Sequence, residues 1–223
     1  MGTNERRERE RNATRAKILD AARELFLEHG FEAVTMRKVA DKIEYTPTAI
    51  YFHFKDKEAL LRELCINDFS ALAAKFMKIG KEADPVERLK KAGQAYAEFG
   101  ITHPNHYRLM FMSEVKHVAG IEEVNEMKGN PESDAYAFLR WTVGEAFEQD
   151  RLRPEHEDPE LVSQLIWAAM HGIVSLEIAK GKDTWITWRP IKDRVRGMIE
   201  LVLHGVVKEE APAKRARSKK GEA

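Results

Sequence analysis

Between residues 35 and 54 the apolar positions fall into two short helical registers separated by a tight turn. Met36, Val39, Ala40 and Ile43 recur at i, i+3, i+4 and i+7, the buried stripe of an amphipathic helix, and Thr35 stands before them as a hydroxyl N-cap. Three residues after Ile43, Thr46 offers a second N-cap with Pro47 at N1, where a missing N–H costs nothing. The helix that follows is very short. It buries Ala49, Ile50 and part of Phe52 or Phe54, and leaves Thr48, Tyr51 and His53 facing outward. Two short helices joined by a three-residue turn predict a helix-turn-helix, whose second helix enters the DNA major groove.

Elsewhere no strand-like alternation persists, and prolines punctuate the chain. Pro47, Pro85, Pro104, Pro131, Pro159 and Pro190 each precede an apolar-periodic stretch, several behind a capping residue such as Asp84, Asn130 or Asp158. Asp84 and Glu87 have capping-box spacing. The pattern predicts an all-α protein with helices over 12–29, 36–43, 47–53, 56–79, 85–100, 104–116, 131–149, 159–180 and 190–207. Residues 118–130 read as a loop or short helix, and 208–223 as a polar, basic, disordered tail. The helix from Asp56 to about Ile79, with Leu60, Leu61, Leu64, Phe69, Leu72 and Phe76 on its apolar positions, reads as one rigid rod joining an N-terminal unit (1–57) to a helical body (58–207).

With 223 residues, 43% of them hydrophobic, the chain carries enough apolar material for a real core. No uninterrupted apolar run approaches the roughly 20 residues of a bilayer span, and the N-terminus is charged, so a cytoplasmic protein is expected. The single cysteine, Cys65, fits a reducing compartment and reads as core packing. Asn12-Ala13-Thr14 is then a coincidental glycosylation motif. Formal net charge is zero, which argues against a nucleic-acid binder until its distribution is considered. Residues 1–57 hold 12 Lys/Arg against 10 Asp/Glu, 208–223 hold 6 against 3, and the middle holds 19 against 24. Arg6, Arg7, Arg9, Arg11, Arg15 and Lys17 precede or open the first helix. They read either as a flexible arm reaching phosphates or a narrow minor groove, or as a solvated tail whose arginines are blunted by Glu5, Glu8 and Glu10.

Thr35, Val39-Ala40, Thr46, Ile50-Tyr51, Phe54 and Lys57-Glu58-Ala59-Leu60-Leu61 resemble the tetracycline-repressor (TetR) family of bacterial transcriptional regulators. The resemblance extends upstream through Ile18–Phe26 and Gly30–Thr35, covering the family's N-terminal three-helix unit. Two positions depart from it: Glu44 replaces a turn glycine, and Thr48 a glycine frequent in the recognition helix. Glu44 is therefore expected to take a left-handed backbone, and Thr48 to change which bases are read. The resemblance implies Thr46, Pro47, Thr48, Ala49, Tyr51 and His53 on the recognition helix. Arg37 and Lys38 are candidates for guanine or phosphate contact, and Thr35 and Lys57 for phosphate contact at helix starts.

Leu165–Glu177 further resembles the Trp-His-Gly signature of one TetR subgroup, carried by Trp167, His171 and Gly172. His171 reads either as a pocket group or as a satisfied core histidine. Tyr96, Phe99, Tyr107, Met110, Phe111, Trp141, Phe147, Trp167, Met170 and His171 are candidate pocket residues, equally readable as plain core; with few, neutral polar groups they imply an apolar or aromatic effector. By resemblance the last two helices dimerise through Leu161, Leu165, Ala168, Ala169 and Ile173, and Val195, Met198, Ile199, Val202 and Val206. The partners so implied are double-stranded DNA with an inverted-repeat operator, a small effector and a second copy of the chain, with repression as the default. A ligand shifting the far end of the rod would change the spacing of the two heads. The alternative is a helical small-molecule-binding or interaction protein without operator binding. His103, His106 and His117 lack metal-ligand spacing, and no nucleophile elbow or phosphate-binding loop occurs, so neither catalysis nor a cofactor or metal is expected.

Overall fold

The first helix, α1, runs from Thr3 to His29 in the computed structural model, which describes residues 3–112 and 122–208, the side chains of Thr3 and 122–124 excepted. The flexible arm expected before residue 12 is instead the opening of this helix. No glycine or proline interrupts residues 3–29, and the interleaved charges that blunt an arm support a helix: Arg6 pairs with Glu10 at 2.8 Å, and the Thr14 hydroxyl donates to the Glu10 carbonyl at 2.9 Å.

Two capped short helices follow. The Thr35 hydroxyl accepts from the Lys38 amide to start α2 (Met36–Lys42), and the Thr46 hydroxyl accepts from the Ala49 amide to start α3 (Pro47–His53). Between them α2 closes in a Schellman motif: Tyr45 N–H reaches Ala40 O at 3.0 Å and Glu44 N–H reaches Asp41 O at 3.3 Å. That closure needs a left-handed residue, and Glu44 supplies it at φ 60°. The turn keeps its shape at the cost of a strained side-chain-bearing residue.

The rod, α4 (Lys57–Ile79), starts on Asp56, whose carboxylate accepts from the Ala59 amide at 2.7 Å. It belongs to two cores. Leu60, Leu61, Leu64 and Cys65 complete the head's core with Ile18, Ala22 and Phe26 of α1, Val39 and Ala40 of α2 and Ile50 of α3. Leu72 and Phe76 enter the body's core instead. At the change-over Asp68, 2% exposed, accepts from Arg23 Nη2 of α1 at 2.8 Å and from His106 Nδ1 at 2.7 Å.

The body is built from α5 (Pro85–Thr102), α6 (Pro104–Tyr107), α7 (Glu122–Met127), α8 (Ala135–Glu148), α9 (Pro159–Lys180) and α10 (Ile191–Val206). No strand occurs among the described residues; one isolated bridge ties Leu152 to Val207. Three expectations are corrected. The helix expected at 104–116 is a four-residue turn followed by a π-helical turn, Arg108–Met112. Its remainder beyond Met112, His117, residues 118–121 and the tail from 209 lie outside the described residues. The helix expected from Pro131 begins at Ala135, because Asp134 caps it through the Tyr136 amide while also holding the Gly129 amide; Asn130 instead closes a turn onto Glu132. Asp84 caps α5, yet the capping box is not closed, since Glu87 pairs with Lys90 and Glu82 accepts from the Asp84 amide. By length and composition α9 is apolar enough to cross a bilayer, although it contains no uninterrupted apolar run of that length. Here its apolar residues divide between the body's core and an exposed stripe.

Gly100 marks the tightest approach in the body: a Cβ there would lie 2.4 Å from Val174 Cγ1 and 2.7 Å from the Tyr107 ring.

Two predictions follow from the turn and the buried carboxylate. Relieving Glu44 with glycine, Glu44→Gly, is worth about 1 kcal/mol and should raise the melting temperature by roughly 2 to 4 °C; no rise would mean that φ carries no strain. Asp68→Ala leaves the buried Arg23 guanidinium only its bond to the exposed Asp20 at 3.1 Å and should cost about 3 kcal/mol in denaturant unfolding, whereas Arg23→Met with Asp68→Leu should cost clearly less.

Candidate functional site

The exposed surface of α3 carries Thr46, Pro47, Thr48 and Tyr51, with Tyr51 55% exposed, while Ile50 anchors the helix at 0%. Ala49 is half-buried. Of the two phenylalanines offered for the inward face, Phe54 is buried at 3% and Phe52 is 74% exposed, so Phe54 joins Ile50 there. One position differs from expectation. His53 is not an outward group: it is half-buried, its Nδ1 has no partner among the described residues, and burial, aided by the charges of Arg11 and Arg15, lowers its pKa. Arg37 projects into solvent, 4.0 Å from Asp41. The two lysines are held locally. Lys38 Nζ donates to Ala33 O at 2.7 Å, and Lys57 Nζ donates to Phe31 O at 3.2 Å, 4.3 Å from the centre of the Phe31 ring. Each ammonium keeps further donors.

The body holds an apolar cavity of about 290 Å³. Of the ten pocket candidates it brings together five: Tyr96 of α5, Met110 and Phe111 of the π turn, and Trp167 and Met170 of α9. The others lie elsewhere. Phe99 and Tyr107 are buried in the core behind the wall, Phe99 stacked on His103. Trp141 and Phe147 sit on the outer side of α8, 36% and 42% exposed, Trp141 under the Arg88 guanidinium at 4.1 Å. His171 does not line the cavity and touches it only through other rings. Sequence reasoning missed Phe69 and Phe76 of α4, Leu89 and Gly93 of α5, Tyr136 and Leu139 of α8, and Ile166. The two phenylalanines were visible as members of the rod's apolar stripe; their spacing of seven is the signal that they share a face.

Polar groups near the cavity are already spent. Trp167 Nε1–H donates to the Tyr96 oxygen at 3.0 Å, the Tyr96 and Tyr107 hydroxyls lie 2.8 Å apart, and Tyr107 Oη lies 2.6 Å from His171 Nδ1. Each group is satisfied if protons run from Trp167 to Tyr96 to Tyr107 to His171. Burial holds both phenols above their ordinary pKa and lowers that of His171, so all three stay neutral. Asp134 is occupied by the two amides of its cap, and the Tyr136 hydroxyl donates to Glu160 at 2.5 Å.

The π turn joins the two sites. Leu109, 3% exposed, inserts into the head's core, while its neighbours Met110 and Phe111 face the cavity. Phe111 also meets Phe69 of α4 edge-on at 6.1 Å. His106 binds Asp68, and among the described residues no three His, Cys, Asp or Glu side chains group as metal ligands.

Among the expected dimer residues, Leu161 and Leu165 are each 51% exposed, and Ala168 is exposed on the same stripe of α9, with Ala169 and Ile173 half-buried beside them. On α10, Met198 and Val202 are half-buried. Val195, Ile199 and Val206 are corrected: each is within the chain's own core, because α10 turns that face onto α5 and α9. Leu201 of the same helix is 72% exposed. A Cβ added at Gly172, Gly197 or Gly205 would meet nothing within 4 Å.

These features define an all-helical protein with a helix-turn-helix head fused through one rod to a body with an apolar cavity. Residues 18–64 match the family model described as bacterial regulatory proteins, tetR family, and residues 89–200, half of the chain, match the tetracyclin repressor-like C-terminal domain. The chain belongs to the TetR family. Among curated relatives it is 37% identical over 67 residues to the HTH-type transcriptional regulator UidR of Escherichia coli K12, which covers 30% of this chain and 34% of the relative. It is 27% identical over 156 residues to the HTH-type transcriptional repressor KstR2 of Mycobacterium tuberculosis, covering 70% and 76%. The chain thus spans about a third of the length of the curated relatives it first matches. Solved structures share the fold: the ketosteroid transcriptional regulator KstR2 of Mycobacterium tuberculosis superposes at TM-score 0.66 with 24% identity, covering 88% of this chain and 96% of that one. The SmeT–triclosan complex does so at 0.65 with 20% identity, covering 88% and 93%. The Trp-His-Gly subgroup rests on Trp167, His171 and Gly172 alone.

Since His171 has a lowered pKa in the folded chain, the unfolded chain takes up this proton first as pH falls. The stability tied to neutral His171 is therefore fully present above about pH 6.5, the ordinary histidine value, and is lost as pH falls through the folded one. Melting temperatures measured across this window should fall less steeply for His171→Gln, whose amide oxygen still accepts from Tyr107; identical slopes would refute a titrating His171.

Proposed function

We propose that this chain is a cytoplasmic, ligand-responsive transcriptional regulator, a repressor that binds an inverted-repeat operator as a homodimer and is released by a small apolar or aromatic effector. The observation that carries the reading is the double membership of α4: Leu60 to Cys65 stand in the head's core, and Phe69 and Phe76 in the cavity wall. A molecule filling the cavity presses on the same rigid helix that orients α3.

Each part has its support. Thr46, Thr48 and Tyr51 are exposed on α3 for groove contact, with Pro47 and Ala49 beside them and His53 behind. Thr35, Arg37, Lys38 and Lys57 flank this surface as phosphate contacts. Glu44 closes α2 without disturbing the cap of α3, so the departure that favoured a sensor without DNA binding loses its weight. The wall's donors are already bonded and its one carboxylate, Asp134, accepts from the Gly129 and Tyr136 amides, which suits a neutral, largely apolar effector. Two neighbours agree in kind: one is named a ketosteroid regulator and another is a complex with triclosan. KstR2 and other relatives are named repressors, which supports repression here. The exposed stripe of Leu161, Leu165 and Ala168 on α9, and the exposed Leu201 on α10 between the open Gly197 and Gly205, suit packing against a second copy.

Selection of bound sequences from random duplex DNA at physiological salt is the test. An inverted repeat should be enriched, and Tyr51→Ala should weaken its binding by about tenfold or more, of the order of 1 to 3 kcal/mol. Absence of enrichment by a folded, dimeric protein would overturn the reading.

A further inference from the structure

The arginines that open α1 fall into two groups. Arg6 is bonded to Glu10, Arg9 Nε donates to the Glu5 carbonyl at 3.4 Å, and Arg15 pairs with Glu63, donates to the His53 carbonyl at 2.9 Å and lies over the Phe54 ring at 4.2 Å. Arg7 and Arg11 have no ion pair and no hydrogen bond among the described residues. They stand one turn apart on the stripe that continues to Arg15, so their side chains emerge from the same face. Arg15 fixes where that face goes. It is clamped to the end of α3, and one turn earlier the Arg11 guanidinium sits 5.7 Å from the centre of the exposed Phe52 ring, next to Tyr51. Nearby carboxylates do not cancel the pair: Glu10 is held by Arg6, and Glu8 reaches neither arginine.

We infer that Arg7 and Arg11 form a second DNA-binding surface, which holds the duplex phosphate backbone next to the base pairs approached by α3. The inference rests on the DNA-binding reading above and deepens it. Two unpaired guanidinium groups, about 6 Å apart along a helix already ordered in the free chain, meet a polyanion without the ordering cost of a flexible arm. Their contribution is sequence-independent, since phosphates carry no base identity.

The full chain is titrated at several salt concentrations onto a random-sequence duplex of about three helical turns and onto the duplex enriched by selection. Arg7→Gln with Arg11→Gln removes two contacts from each protomer of the homodimer and should lower the slope of log affinity against log salt by about 3.6, at roughly 0.9 per phosphate lost, and weaken both duplexes alike without changing base preference. Replacing both with lysine should keep most of the slope. Arg6→Gln, which removes one charge per chain from the paired side, should stay within about half a unit of wild type. Glutamine and lysine are good helix formers, and the replaced side chains are exposed, so α1 stays intact. A double variant with wild-type slope, or an equal loss in Arg6→Gln, overturns the inference while the operator reading stands. Wild-type protein that binds neither duplex overturns both.

Discussion

Asp68 accepts from Arg23 of α1 and His106 of α6 on one buried oxygen, at the level of α4 where the head's core gives way to the body's. Three helices that otherwise belong to different parts are thereby held in one relative setting. A buried ion pair of this kind adds little net stability, because desolvation offsets most of the attraction, but it tolerates few alternative geometries. Among the described residues the second oxygen of Asp68 and Nε of Arg23 have no partner, so the arrangement is not at its electrostatic optimum. Orientation, more than stability, is what this carboxylate secures.

The cavity depends on the same economy. Its polar neighbours consume one another's hydrogen-bonding capacity along a line from Trp167 to His171, leaving ring faces and alkyl groups for any occupant. Gly100 allows this line to exist, since any side chain there would drive Tyr107 or Val174 away. An occupant is then selected by shape and apolar area, with recognition spread over many weak contacts.

How much the sequence discloses varies with the range of the interactions that decide each feature. Caps and turns are local, and Thr35, Thr46, Asp84 and Asp158 cap the helices that their positions imply, while Asp56, read as the first residue of its helix, is its cap; the left-handed backbone of Glu44 was legible only through the family resemblance, as the replacement of a turn glycine. The start of α1 was hidden because interleaved Arg and Glu read equally as a solvated arm or as a ladder of helical pairs. Asn130-Pro131 was a plausible helix start that lost to Asp134, which satisfies two amides at once. The cavity was half legible, since periodicity tells which face of a helix is buried but not against what. It therefore could not separate Tyr96, in the wall, from Phe99, packed behind it. The same limit explains Val195, Ile199 and Val206, apolar at the right spacing for a partner yet used by the chain's own core. The π turn carries no local signature at all.

That π turn sets a constraint on how this sequence can drift. A π turn holds roughly one residue more than an α-helical turn, and here the additional length puts Leu109 and the pair Met110-Phe111 on opposite sides. Deleting one residue between 108 and 112 would return the turn to about 3.6 residues and remove the additional one, so Leu109 in the head's core and Met110 and Phe111 in the cavity wall would no longer all keep their places. A point change in the turn disturbs one side chain; a change in its length disturbs both cores at once. Descendants of this protein are free to vary the identity of residues 108–112 far more readily than their number.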